Sequence, residues 1–159
     1  MTPGTRQARV PGTVVNGTPD TSTTGGDMTA WAGNIERITL ENSSYRKVIH
    51  TGKVMQLVVM TLEPGEEIGL EVHDHIDQFI RVEEGVATLT TSETKDGPQT
   101  SVVFGADWAT IVPAGVWHNV INAGLGPLRL YTIYSPPEHA PGTVHRTKAD
   151  ADADPHHDH

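Results

Sequence analysis

Residues 71–85 read EVHDHIDQFIRVEEG. Glu71, His73 and His75 occupy alternate positions, and on an extended chain side chains two residues apart project from the same face. All three would converge on one interior. A bend at Ile76-Asp77 would turn the Gln78 amide oxygen back toward the two imidazoles, and the strand that follows closes at the turn Glu83-Glu84-Gly85. A histidine on its own is more often a buried ring with one satisfied hydrogen bond than a ligand. Two on one strand face change that balance.

Working outward, turn chemistry recurs at Glu63-Pro64-Gly65, Asp96-Gly97-Pro98, Pro113-Ala114-Gly115 and Gly124-Leu125-Gly126-Pro127, with short Val-, Ile-, Leu- and Thr-rich segments between. This is the pattern of an all-β domain. Residues 53–62, KVMQLVVMTL, are apolar on both faces for much of their length, as expected of a strand that lines a barrel and packs outward as well. Helices are disfavoured because β-branched residues crowd the segments and Gly or Pro interrupts them. Only 33–40 and the chain from 138 onward leave room for short helical turns.

Forty residues beyond Gln78, His118 follows the Pro113-Ala114-Gly115 turn, which supplies the backbone angles needed to present it inward. His73, His75, Gln78 and His118 together offer three imidazoles and one carbonyl oxygen. That donor set suits one divalent transition metal ion (Mn, Fe, Co, Ni, Cu or Zn) rather than Ca or Mg. Under the same alternation Glu71 faces the interior as a ligand, a general base or a solvated carboxylate at the barrel mouth, and it is the candidate catalytic residue. Asp74 and Asp77 take the opposite phase, where exposure or a turn hydrogen bond is expected. Asn122 returns to the phase of His118 and is expected to satisfy buried backbone groups. Trp117 points outward, and Tyr131 and Tyr134 fall on opposite faces of the last strand, LRLYTIYS. His139 and His145 are expected at the surface.

The 159 residues suffice for one domain, expected over 30–140, between a disordered N-terminal tail at 1–29 and a C-terminal tail at 141–159 that is partly ordered and frays over its last ten or so residues. His156, His157 and His159 near the end carry no functional weight. With 20 acidic against 11 basic residues and a net charge of −9, the chain lacks the footprint of a nucleic-acid binder and is a poor partner for anionic membranes. The absence of cysteine excludes disulfides, thiolate metal sites and thiol nucleophiles. The first thirty residues lack the apolar stretch of a secretory signal, so a soluble, cytoplasmic protein is expected.

These residues resemble the two motifs of the cupin superfamily. The second motif, P-x-G-x-x-H-x-x-x-N, stands complete as Pro113-Ala-Gly115-Val-Trp-His118-Asn-Val-Ile-Asn122. The first, H-x-H followed by a Glu, six residues and a Gly, stands as His73-Asp-His75-Ile-Asp-Gln78-Phe-Ile-Arg-Val-Glu-Glu-Gly85. Gln78 replaces the usual Glu, the gap from His75 is one residue short, and Gly65, Gly69 and Gly105 are displaced from the usual glycine positions. The resemblance covers roughly residues 36–137, and the text is similar to small single-domain bacterial cupins of the mannose-6-phosphate-isomerase-like type. It implies a double-stranded β-helix, or jelly-roll barrel.

With Gln in place of Glu the expected ligand set is neutral, so a bound divalent ion keeps its full charge and favours an anionic substrate. The expected function is a metalloenzyme of isomerase, lyase or dioxygenase type acting on a small polar or anionic molecule. The alternative is a non-catalytic module binding a sugar, phosphate or carboxylate. A structural scaffold is disfavoured by the retained ligand cluster, and the outer apolar strand faces suggest a homodimer.

Overall fold

The computed structural model describes residues 29–155, so most of the expected N-terminal tail and the histidines at 156, 157 and 159 lie outside the described residues. In chain order the elements are α1 (Ile35–Glu41), β1 (Arg46–Thr51), β2 (Gln56–Leu62), β3 (Asp77–Glu84), β4 (Val86–Ser92), β5 (Thr100–Gly105), β6 (Ala109–Val112), β7 (Trp117–Ile121), β8 (Leu128–Ser135), β9 (Val144–His145) and α2 (Lys148–Ala153). The strands form a six-stranded sheet, β6-β3-β8-β2-β1-β9, and a three-stranded sheet, β5-β4-β7, with antiparallel pairing throughout. This is the jelly-roll arrangement expected from the strand and turn pattern.

The two sheets enclose a core of Val58, Met60, Leu62, Ile80, Val82, Leu89, Val120, Leu128, Leu130 and Tyr134, all nearly inaccessible to water. Residues directly opposite on paired antiparallel strands share a face. The ladder therefore carries Gln56, Tyr134, Gln78 and Val112 inward as one row across β2, β8, β3 and β6. Outside, α1 lies against β8, β3 and β2, which explains why residues on both faces of β2 are buried. Asn34 caps this helix by accepting from the Arg37 amide. The strand expected at 53–62 begins only at Gln56, because Val54 and Met55 lie in an exposed bend.

The C-terminal segment departs from expectation. Fraying was expected over the last ten residues, yet 148–153 form a helix and Ala151, 2% exposed, joins the core. The cause is local and legible afterwards. Thr147 accepts from the Asp150 amide while the Asp150 carboxylate accepts from the Thr147 amide, closing a capping box. Lys148 pairs with Asp152 one turn along. Upstream, β9 extends the larger sheet by pairing with β1, which draws His145 out of solvent to 5% exposure instead of leaving it at the surface.

Candidate metal centre

Two motif glycines set the frame. Gly115 sits at φ +83°, and its amide donates to the His73 carbonyl at 2.8 Å. Gly85 sits at φ +90°, where a Cβ would collide with the Pro127 carbonyl oxygen. The first turn aligns the segment before β3 with β7, and the second lets β3 pass to β4 against the start of β8.

Glu71 and His118 form an antiparallel bridge, each amide donating to the other's carbonyl at 2.9 Å. Both side chains point inward, at 3% and 1% exposure, and His73, two residues on, follows at 9%. The alternation then fails. The chain turns at Asp74 and His75, leaving both exposed, and resumes as β3 only at Asp77, whose carboxylate accepts from the Ala114 amide. His75, expected as a ligand, is therefore carried away from His73. A period of two holds only while a strand stays extended, and this one is bridged at a single residue before it bends.

Gln78 is fully buried on β3, and its amide nitrogen donates to Thr132 Oγ1 at 3.0 Å. That turns Gln78 Oε1 toward His118 Nε2, 3.1 Å away. His118 Nδ1 lies 3.0 Å from the Val116 carbonyl, which can only accept, so the neutral ring carries its proton on Nδ1 and presents a lone pair at Nε2. Glu71 Oε1 lies 3.3 Å from His118 Nε2 and 3.4 Å from His73 Nε2. Glu71 Oε1 and His73 Nε2 are buried without a hydrogen-bond partner. Gln78 Oε1 and Glu71 Oε1 thus each face the His118 Nε2 lone pair at close to hydrogen-bonding distance.

Such a convergence is costly unless a cation lies between the donors. Donors around a tetrahedral ion at about 2.1 Å stand about 3.4 Å apart, close to the spacing found here. Glu71, His73 and His118 offer ligand atoms all within 4.8 Å of one another. The residues present fit a borderline metal ion, with a carboxylate where His75 was expected.

Burial alone would push the Glu71 carboxyl up, but the His118 and His73 rings, when they carry a proton toward Oε1, outweigh it and hold Glu71 well below the usual carboxylate range. Glu71 is therefore a buried anion, and not the solvated carboxylate at the mouth that was one expectation. Burial pulls His73 down, yet Glu71 and then Glu138 leave its pKa raised. Glu138 Oε2 stands 3.7 Å from His73 Nδ1, dividing the ring between an inward nitrogen and an outward carboxylate.

Sequence reasoning had passed over Glu138. It follows two prolines at the end of β8, and the Gln56 amide, whose oxygen accepts from the Glu138 and His139 amides at 3.3 and 2.9 Å and whose nitrogen donates to the His139 carbonyl at 2.7 Å, holds this segment. His139, expected at the surface, is half-buried with its ring edge-on to Tyr134 at 5.1 Å. Tyr134 in turn lies 5.9 Å from His73. Tyr131 faces the other way beside Phe79, and Trp117 lies outside under Lys95. Asn122 has the structural role expected, donating to the Leu62 and Gly126 carbonyls and accepting from the Gly124 amide.

Comparison with known proteins agrees with this fold. The cupin-domain family model matches residues 58–134. The chain is 49% identical over 118 residues to the uncharacterized protein YrkC of Bacillus subtilis (strain 168), covering 74% of this chain and 63% of YrkC. It thus spans less than two thirds of that relative's length. It is 44% identical over 112 residues to the uncharacterized protein L612 of Acanthamoeba polyphaga mimivirus, covering 70% of this chain and 68% of that one. The crystal structure of BH2720 from Bacillus halodurans superposes with a TM-score of 0.79 at 43% identity, covering 83% of this chain and all (100%) of that one.

Proposed function

The chain belongs to the cupin family, and on that premise we propose that it is a metal-binding cupin in which Glu71, His73, Gln78 and His118 hold one divalent transition metal ion. The observation that carries this reading is the approach of Gln78 Oε1 and Glu71 Oε1 to the His118 Nε2 lone pair at 3.1 and 3.3 Å, all three side chains being buried. A neutral imidazole flanked by two oxygen acceptors lacks a stabilising partner until a cation joins them.

The reaction class proposed is isomerase, lyase or dioxygenase chemistry on a small polar or anionic molecule. A bound metal would supply Lewis acidity or redox capacity there. The chain's own part is positioning. Glu138 orients His73, Thr132 orients Gln78, and the Val116 carbonyl keeps the His118 proton away from the interior. Burial raises the Tyr134 phenol pKa, so that group stays a neutral hydrogen-bond donor through the physiological range.

No described helix is long and apolar enough to cross a membrane, and a cytoplasmic location is part of the proposal. So is a homodimer. Ile111, Phe79, Ile133 and Leu57 lie opposite one another on the outer face of the larger sheet, and Ile111 is 67% exposed. Sedimentation velocity reads that directly.

The test of the metal assignment is elemental analysis of untagged protein, with melting curves before and after chelation. A stoichiometric transition metal and a melting point that falls on chelation are expected, since a ligand that binds only the folded state stabilises it. His118→Ala is expected to lose most of the metal while remaining folded. Equal metal content in mutant and parent would overturn the assignment.

A further inference from the structure

The turn joining β4 to β5 borders a cavity of about 420 Å³. One row of the ladder connects that cavity to the metal cluster. Thr100 on β5 stands opposite Thr91 on β4, Thr91 stands opposite His118 on β7, and His118 is bridged to Glu71. Residues opposite one another share a face, with Cβ atoms about 5 Å apart. Exposure falls along the row, from exposed Thr100 through half-buried Thr91 to 1% at His118 and 3% at Glu71. Thr100 and Thr91 both line the cavity, which therefore starts at the solvent end of the row and reaches the direct neighbour of His118. Val116 lines it too, and its carbonyl lies 3.0 Å from His118 Nδ1.

The walls are rich in hydroxyls. Besides Thr91 and Thr100 they include Ser92 and Thr94, and Ser92 Oγ donates to the Thr94 carbonyl at 2.6 Å, which ties the rim together. Val116 and Pro98 add apolar surface. Among the described lining residues none is Lys, Arg or His, and the single charge is the exposed carboxylate of Glu93. Lys95, two residues on, stands instead over the Trp117 ring, 6.0 Å from its centroid. A carboxylate or phosphate here would meet Glu93 with no cation in the wall to offset it. An apolar ligand would cover the hydroxyls without pairing them, and an ammonium gains little from one solvated carboxylate. Ligand hydroxyls match these walls, because each partner can both donate and accept. The volume is that of a small-molecule site.

We propose that this cavity binds a neutral polyhydroxy compound, a sugar or polyol, with Thr91 and Thr100 as the residues that select it and with the end beside Thr91 directed at the His118–Glu71 cluster. The direction of the ligand rests on the metal-site reading above. The substrate class narrows that reading from small polar or anionic molecules to neutral polyols.

The test titrates the full chain, metal-loaded and metal-stripped, with glucose and myo-inositol, followed by NMR. Glucuronate, glucosamine and cyclohexanol serve as anionic, cationic and apolar comparators on the stripped sample. The parent is expected to bind a neutral polyol more tightly than any comparator. Thr91→Val and Thr100→Val each exchange one hydroxyl for a methyl, and each is expected to weaken polyol binding about two- to tenfold, the factor for one neutral hydrogen bond, with metal content unchanged. Thr100→Phe, at an exposed position, is expected to abolish binding by filling the cavity, and it stands in if a valine variant does not fold. No polyol binding on either sample, parental affinity in the threonine variants, or a comparator bound more tightly than both polyols would overturn the proposal. Metal content is read on each sample, so a parent that holds no metal sinks the metal-site reading, while polyol binding still decides this one.

Discussion

Replacing Glu71 by Gln while separately replacing His75 by Ala asks which residue completes the metal site. Glu71→Gln keeps volume and one carbonyl oxygen and removes only the charge, at a position where Oε1 lies 3.3 Å from His118 Nε2 and 3.4 Å from His73 Nε2. Charge-assisted contacts are roughly twice as strong as neutral ones, so a loss on the order of 3 kcal/mol in metal binding is expected. At about 1.4 kcal/mol per decade, that is roughly a hundredfold weaker affinity. His75 is exposed and stands outside the cluster. Its replacement should change affinity by less than about threefold, the range of surface substitutions. Competition with a chelator of known affinity, followed calorimetrically, measures both on one scale. Comparable losses in the two variants would show that the segment 71–77 rearranges to bring His75 inward, and the Glu71-centred geometry would be wrong.

Gln78→Glu is expected to retain metal about tenfold more tightly by adding a second carboxylate, and to weaken binding of anionic ligands by cancelling positive charge; unchanged retention would place residue 78 outside the coordination sphere. Metal affinity should decline on acidification, because the ion needs deprotonated imidazoles while burial, outweighed by Glu71, leaves the His73 pKa raised. Affinity is thus full above that raised value and lost as pH falls through it; a flat chelator competition between pH 8 and roughly pH 6 would contradict this. Ala151→Glu should destabilise by about 3 kcal/mol in urea unfolding, since it buries an unpaired carboxylate at a 2% exposed position of the core; parental stability would mean that α2 leaves the barrel readily.

Much of the architecture was legible because strands and turns are written locally. Gly-Pro punctuation marked most strand ends, and the spacing from Gly115 to His118 and Asn122 spans one short turn, the strand β7 and the residue just after it. The same locality would have revealed the Thr147–Asp150 capping box, yet the repeated Ala-Asp text read as a solvated tail. Arg46 left no local signal. An arginine in RKVIHT reads as an exposed strand residue, and only pairing with Met60 and His145, distant in sequence, turns it inward.

By itself the chain determined the cupin barrel and the inward approach of His73, Gln78 and His118, because these depend on backbone angles and short-range periodicity. Tertiary structure alone decided that Glu71 and not His75 stands in the buried cluster, that Glu138 stands behind His73, and that Arg46 is turned onto the core face. Those choices depend on where a short extended segment stops being paired, and that is set by β7 across the barrel, not by the residues next in line.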